Sequence, residues 1–435
     1  MRGFSRRFIA VAATAVVTAS VAVTAAPAAA QAHSRDPYVK VGYFTQWGIY
    51  GRGFQVSKLE TSGAAANLTH INYAFGPVTA AGVCDSADAW ADWQTPSSAE
   101  LSVDGVADVA GQPIAGNLNQ LAKLKKKHPG LKVLISLGGW TGSAFFSDAA
   151  LTDASRKKLV SSCVDLWLKG NLPGLTAGVA AGIFDGVDLD WEWPGSDGNV
   201  GNTIRPEDKH NFTLLTAEFR AQLDKLGRKT HKHYDLTAFL PAAPAKIDAG
   251  FEAKKIFKYL DFGTVQGYDF HGSWELRTNQ QSSLRVPKGA PDNPDFSVEN
   301  AINAWLTRGA PRGQLVLGLP YYGQGWTGTT GSGLFASATG PAAGVFAAGT
   351  EDYKVLATLQ AQGYTLHRDW RDGNSWLSNG TTFWTYDDPA QLLQKTAYIR
   401  AEGLGGAMMW SLDGDDASAS LTKAISAGLW APWRH

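Results

Sequence analysis

From Tyr38 onward, short apolar runs recur along the chain with amphipathic stretches between them. Eight runs read as strands: YVKVGYFTQW, LTHINYAFG, LKVLISLGGW, FDGVDLDWEW, YDLTAFLPA, FGTVQGYDF, QLVLGLPYYG and LGGAMMWSL. Each is apolar toward both faces, the pattern of a buried strand in a parallel sheet. Between them, NLNQLAKLKKKHPG and HNFTLLTAEFRAQLDKLG carry helical spacing, the latter expected to stop at Gly227. DPAQLLQKTAYIRAEG places Pro389 in a first turn and Gly403 at the end. Eight strands alternating with helices predict an α/β fold, a (β/α)8 TIM barrel over residues 38–430.

Two connections are too long for that scheme, since strand–helix loops usually need only about 2–6 residues. Gly76 to about Asn117 is small, polar and irregular, with Trp90 and Trp93 inside it. The second, residues 326–386, is rich in Gly, Thr, Asp and Trp and contains strand-like pieces such as YTLHRDWRD and TTFWTYDD. It predicts a small α+β subdomain inserted between strands 7 and 8, on the barrel face where active sites sit. At the N-terminus, Arg2, Arg6 and Arg7 precede an Ala- and Thr-rich apolar run ending in PAAAQAH. That is the layout of a secretory signal over residues 1–32, cut after Ala32, with export to the extracellular space implied. A membrane anchor is the competing reading, and a twin-arginine route stays open through Ser5-Arg6-Arg7-Phe8.

Composition narrows the partners. Lys plus Arg and Asp plus Glu both total 39, so neither nucleic acid nor an anionic membrane is an expected partner. Nothing in the chain calls for a second copy, and a monomer is expected. The two cysteines, Cys84 and Cys163, are expected to pair in an exported protein. Sixteen tryptophans suit an apolar core, and equally the flat faces of sugar rings.

The chemistry concentrates in FDGVDLDWEWP, where Asp185, Asp188, Asp190 and Glu192 interrupt an apolar strand. Alternate side chains of a strand share a face, so Asp188, Asp190 and Glu192 point together into the barrel. Val187, Leu189 and Trp191 then pack outward under the helices. Asp185 has the opposite parity and belongs at the start of the strand or in a structural role. Three buried carboxylates cannot all ionise cheaply. Either a metal such as Mg2+ neutralises them, or they share protons and keep one acid protonated, or they form a hydrogen-bonded structural ladder.

The spacing Asp185-x-x-Asp188-x-Asp190-x-Glu192 resembles the DxxDxDxE signature of glycoside hydrolase family 18 chitinases. Ser136-Leu137-Gly138-Gly139 resembles that family's SxGG signature on the preceding strand, and Gln266-x-Tyr268-Asp269 its sixth-strand motif. Many bacterial relatives carry Met where Gln266 stands. Trp410 occupies the place of an eighth-strand tryptophan, and the resemblance spans roughly Tyr38 to Leu429. It implies hydrolysis of chitin and chitooligosaccharides without a cofactor or metal.

Ordinary glycosidases straddle the scissile bond with two carboxyls, about 5–5.5 Å apart in retaining enzymes. Asp190 and Glu192 project the same way from Cα atoms about 6.5–7 Å apart, so Asp190 is poorly placed as a nucleophile. The resemblance implies that the substrate's 2-acetamido carbonyl attacks instead, family 18 being a substrate-assisted exception to the two-carboxylate rule. Glu192 would be general acid and then base, Asp190 would hold the acetamido N–H, and Asp188 would share a proton with Asp190. Tyr268 would aim the acetamido carbonyl, with Asp269 contacting the sugar and Trp410 forming the floor beneath it.

Trp47, Trp140, Trp274 and Trp326 are candidate platforms for further sugars, with one or two of them expected to be ordinary packing. Gln266, Tyr322 and Gly139 are further binding candidates, although Gly138 and Gly139 also suit close backbone packing. Tyr43 and Phe75 could line the pocket base or pack in the core, and Trp90 and Trp93 could extend the groove. A non-catalytic chitin lectin, a hydrolase of other N-acetylglucosamine polymers and a metal-dependent barrel enzyme are the rival readings.

Overall fold

A computed structural model describes residues 37–291, 296–331 and 333–430. The leader expected over residues 1–32 lies outside the described residues. Seven strands in chain order begin the barrel: β1 (Val39–Thr45), β2 (His70–Gly76), β3 (Lys132–Gly138), β4 (Gly186–Asp190), β5 (Asp235–Leu240), β6 (Phe262–Val265) and β7 (Leu315–Pro320). An inserted sheet follows, of β8 (Tyr322–Thr327), β9 (Gly340–Pro341), β10 (Thr350–Asp352), β11 (Thr365–Asp369), β12 (Asn374–Ser378) and β13 (Thr382–Thr385). The eighth barrel strand is β14 (Gly406–Trp410).

All barrel pairings are parallel, and the sheet closes in the order β1-β14-β7-β6-β5-β4-β3-β2. The consecutive apolar positions explain the closure. β4, β5 and β7 are buried at every residue, having helices outside and packed side chains inside. Register then fixes neighbours: Ser136 lies beside Asp188 and Asp188 beside Thr237, forming one polar layer across three strands.

The helices follow their signals with one correction. Asp388 caps the helix Pro389–Ala401, its carboxylate accepting from the N–H groups of Ala390 and Gln391. The helix Asp208–Thr230 runs past Gly227, and His231 takes the left-handed cap at φ 53°. Gly227 answers to a close approach instead of a stop, since a Cβ there would sit 2.4 Å from the Lys232 carbonyl oxygen. No helix among the described residues is long and apolar enough to cross a membrane.

The loop after β2 is anchored from both sides. Cys84 is disulfide-bonded to Cys163 at the end of the helix Asp153–Cys163, with Cα atoms 4.9 Å apart. With the cysteines 79 positions apart, the chain-entropy account gives the link roughly 4–5 kcal/mol of stabilisation. Buried Asp92 holds the other side, accepting from Gln46 Nε2 and Ser86 Oγ at 2.5 Å each and from the Tyr73 hydroxyl. Burial foremost pushes its carboxyl up to about 6, against the pull of these donors. Trp93 packs in the core and is no groove extension. The inserted sheet is antiparallel, in the order β10-β8-β13-β12-β11 with β9 on β8, and begins at Tyr322, ahead of the expected boundary at 326. Trp326 is no sugar platform either. It is fully buried against Phe383, with its indole N–H donating to the Glu275 carbonyl.

Candidate active site

Strand parity on β4 builds the site from the bottom of the barrel upward. Asp185, at its foot, pairs with Lys125 at 2.7 Å and with Lys232, and accepts the Val133 N–H at 2.8 Å. It is a structural anchor. Asp188 is fully buried and accepts three hydroxyls, from Tyr43 (2.7 Å), Ser136 (2.7 Å) and Thr237 (2.6 Å). Three donors favour its ionised form, although burial as the larger influence raises its pKa. Asp190, next up, is buried, and its Oδ1 has no hydrogen-bond partner.

Glu192 stands above the strand end, half-buried. Its backbone is pinned: its N–H donates to Ser143 Oγ (2.9 Å), and its carbonyl accepts from Asn202 Nδ2 (2.8 Å). Burial and then the Asp269 charge raise the Glu192 pKa to about 8, with Lys246 opposing. Burial, then Glu192 and Asp188, hold Asp190 well above the usual carboxylate range. Glu192 is therefore the groove acid biased toward its protonated form near neutral pH. The acids thus have a protonation pattern suited to proton donation.

Gly138 and Gly139, at φ 106° and 77°, let β3 close over this strand. A Cβ on Gly138 would lie 2.4 Å from the Asp190 carbonyl, and one on Gly139 would lie 2.5 Å from the Phe75 ring. Gly139 is absent from the groove lining and seats Phe75, so its expected sugar contact is corrected to a packing role.

The groove above the acids has a volume of about 760 Å³. Asp190, Glu192, Tyr268, Asp269 and Gln266 line it together with Trp410. Tyr43 and Phe75 line it too and brace Trp410, Tyr43 edge-on at 5.2 Å and Phe75 stacked at 5.8 Å. Asp188 lies below, out of reach. Tyr268 is stacked on Phe239 at 6.3 Å, and its hydroxyl meets only the Met408 sulfur, at 4.0 Å. Burial first, then the Asp190 and Asp269 charges, raise its pKa far above the ordinary value, so it is a neutral hydroxyl whose proton is held only by the weak sulfur acceptor. Asp269 adopts φ 55° and accepts from the Tyr322 hydroxyl (2.7 Å) and Gln324 Nε2 (2.9 Å). Tyr322 and Gln324 border a smaller side pocket of about 250 Å³ that shares Asp269 and Trp410.

Trp47, Trp140 and Trp274 line the groove with 43%, 50% and 62% of their surface exposed, values that suit open stacking faces better than core packing. Trp90 is 52% exposed but is outside the lining. Trp274→Ala and Trp47→Ala are expected to weaken action on a long polymeric saccharide more than on its short soluble oligomers. A short substrate never reaches a platform distant from the cleaved bond, and equal losses on both substrates would assign these residues to the core.

Sequence reading missed Phe239, Phe270, Phe296, Trp193 and Lys246, all in the lining. Strand parity on β5 could have found Phe239. Lys246 sits in the first turn of the helix Pro244–Gly250, donates to the Asp197 carbonyl at 2.6 Å and lies over Trp193. Among the described residues, His233, Asp235 and Asp261 bring ligand atoms within 4.8 Å of one another. They lie at the strand starts, away from the groove, and Lys132 and Arg220 already bond the two carboxylates.

The sequence profile of the family described as "Glycosyl hydrolases family 18" matches residues 39–415. "Chitinase C" of Streptomyces lividans is 39% identical over 408 residues, covering 91% of this chain and 59% of that protein. "Chitinase A1" of Niallia circulans is 37% identical over 437 residues, covering 92% and 60%. The chain thus spans about three-fifths of the length of these curated relatives. Among solved structures, the catalytic domain of psychrophilic chitinase B from Arthrobacter TAD20 is similar at a TM-score of 0.87 and 47% identity, covering 90% of this chain and 95% of that one.

Proposed function

The chain belongs to glycosyl hydrolase family 18, and from that premise we propose that it is an exported chitinase. It cleaves β-1,4 bonds between N-acetylglucosamine units with retention of configuration. The observation that carries this reading is that Asp190 and Glu192, above fully buried Asp188, line one groove together with Tyr268, Asp269 and Trp410. The leader pattern of residues 1–32 supports export.

Glu192 gives its proton to the glycosidic oxygen as the C1–O bond breaks, while the acetamido carbonyl oxygen bonds to C1. Tyr268, a neutral donor whose hydroxyl gives up its weak bond to the Met408 sulfur, hydrogen-bonds that carbonyl and aims it. Asp190 accepts the acetamido N–H and passes its own proton toward Asp188, so a carboxylate faces the forming oxazolinium cation. Glu192, now a carboxylate, takes a proton from water as the water oxygen bonds to C1 and the carbonyl leaves. Two displacements at C1 return the β configuration, and Glu192 ends the cycle protonated.

The test is a time course of the protein on colloidal chitin, with soluble products separated by size and their anomers followed by NMR. The expected result is N-acetylglucosamine oligomers whose new reducing ends first appear as β. Release of α ends would overturn the mechanism, and no soluble product would overturn the activity.

A further inference from the structure

Asp269 is the one groove acid on a strained backbone, a non-glycine residue at φ 55°. What holds it there lies beneath the groove wall, on the loop that follows β6. The Gln281 side chain is fully buried, and its two ends are both used. Its Oε1 accepts the Asp269 N–H at 3.3 Å, and its Nε2 donates to the Tyr322 carbonyl at 2.7 Å. The Tyr322 hydroxyl returns to the Asp269 carboxylate at 2.7 Å. Asp269, Tyr322 and Gln281 thus form a closed ring of hydrogen bonds, joining the loop after β6 to the first strand of the inserted sheet.

The ring is itself braced. The Gln281 N–H donates to Thr385 Oγ1 of β13 at 3.3 Å, and its carbonyl accepts the Phe270 N–H at 3.0 Å. One residue on, Ser282 Oγ donates to the Gly267 carbonyl at 2.6 Å, immediately before Tyr268. Lys395, fully buried and paired with Asp387, in turn donates to Ser282 Oγ at 2.6 Å. The inserted subdomain and its neighbouring helix therefore grip both ends of the Tyr268-Asp269 dipeptide.

We propose that Gln281 is a positioning residue for hydrolysis: its amide locks Asp269 to Tyr322 and keeps the Asp269 carboxylate turned toward the groove beside Glu192. The inference rests on the proposed chitinase reading. It gives the insertion a task at the site, namely support of an acid that acts on the proton donor. The charged and titratable groups facing Glu192 are Asp190, Asp269, Lys246, Tyr268 and Tyr322. Of these, Gln281 holds Asp269 and Tyr322 directly, and the Asp269 charge favours the protonated form of Glu192.

Gln281→Met keeps the length of the side chain and removes both hydrogen bonds. The expected result is a kcat on chitotetraose lowered by about ten- to a hundredfold, the scale of a small misplacement within a catalytic site. KM should change far less, and the alkaline limb of the pH profile should move to lower pH. A crystal structure of Gln281→Met should show Asp269 released from Tyr322. Should Gln281→Met not fold, Gln281→Leu, which also removes both hydrogen bonds without adding charge, is read in the same way. A folded variant with the parent's kcat and pH profile, or a crystal structure with Asp269 unmoved, overturns the proposal. A parent protein inactive on chitooligosaccharides would overturn the proposed function instead, and the crystallographic comparison would still decide the role of Gln281.

Discussion

Glu192→Gln should lower chitooligosaccharide hydrolysis by about 10^2- to 10^4-fold with binding of the oligomer retained, the scale of lost general acid–base catalysis. Gln keeps the shape of the protonated acid but has no proton of comparable acidity to give. The backbone holding it is fixed by Ser143 and Asn202, so the replacement has no reason to move. Steady-state rates on chitotetraose and calorimetric binding separate the two effects. Wild-type turnover would remove Glu192 from the mechanism. Stability supplies an independent check. A carboxyl with a raised folded-state pKa binds its proton more tightly folded than unfolded. The parent therefore loses stability as pH rises from the unfolded value near about 4.3 through about 8, whereas Gln does not titrate. The variant should gain in relative thermal stability over that window. A loss of activity accompanied by a lower melting temperature at pH 8 would point to misfolding.

The second large effect is on substrate choice. Asp190 and Glu192 line one groove, and in the proposed mechanism the nucleophile is the substrate's own acetamido group. Polymers of N-acetylglucosamine should be cleaved, and cellulose, with a hydroxyl in place of the acetamido group, should give no detectable product. Fully deacetylated chitosan should resist as well, because an amine offers no carbonyl oxygen. A stable thiazoline mimic of the cyclised intermediate should inhibit, since it gains from contacts tuned to that charge. Isolation of a glycosyl ester on Asp190 or Glu192 would overturn the mechanism while leaving the activity standing.

Much of the fold was legible because its signals are local. Consecutive apolar positions announced the parallel strands, and the two-residue period separated Asp188, Asp190 and Glu192 from Val187 and Leu189. Where local signals have two causes, reading them went astray. Gly227 resembled a helix stop and turned out to admit the Lys232 carbonyl. Trp326 resembled a rim platform but packs against Phe383, a partner more than fifty positions away. Gln281 carries no mark at all in its own neighbourhood. Its meaning comes from Asp269 and Tyr322, which reach it from opposite directions along the chain. Distances of that kind are created by the fold and cannot be read from spacing.

Barrel closure has a consequence for how activity arises during synthesis. The seam between β1 and β14 pairs Val39 with Gly406 and brings Tyr43 against Trp410. The floor of the groove is therefore completed by the last strand to leave the ribosome. A nascent or prematurely terminated chain lacking β14 holds every acid of the site, yet has no floor beneath the sugar and two unpaired strand edges, on β1 and β7. Such unpaired edges favour aggregation. Truncation within β1 or β14 therefore removes the barrel seam and the Tyr43–Trp410 contact together.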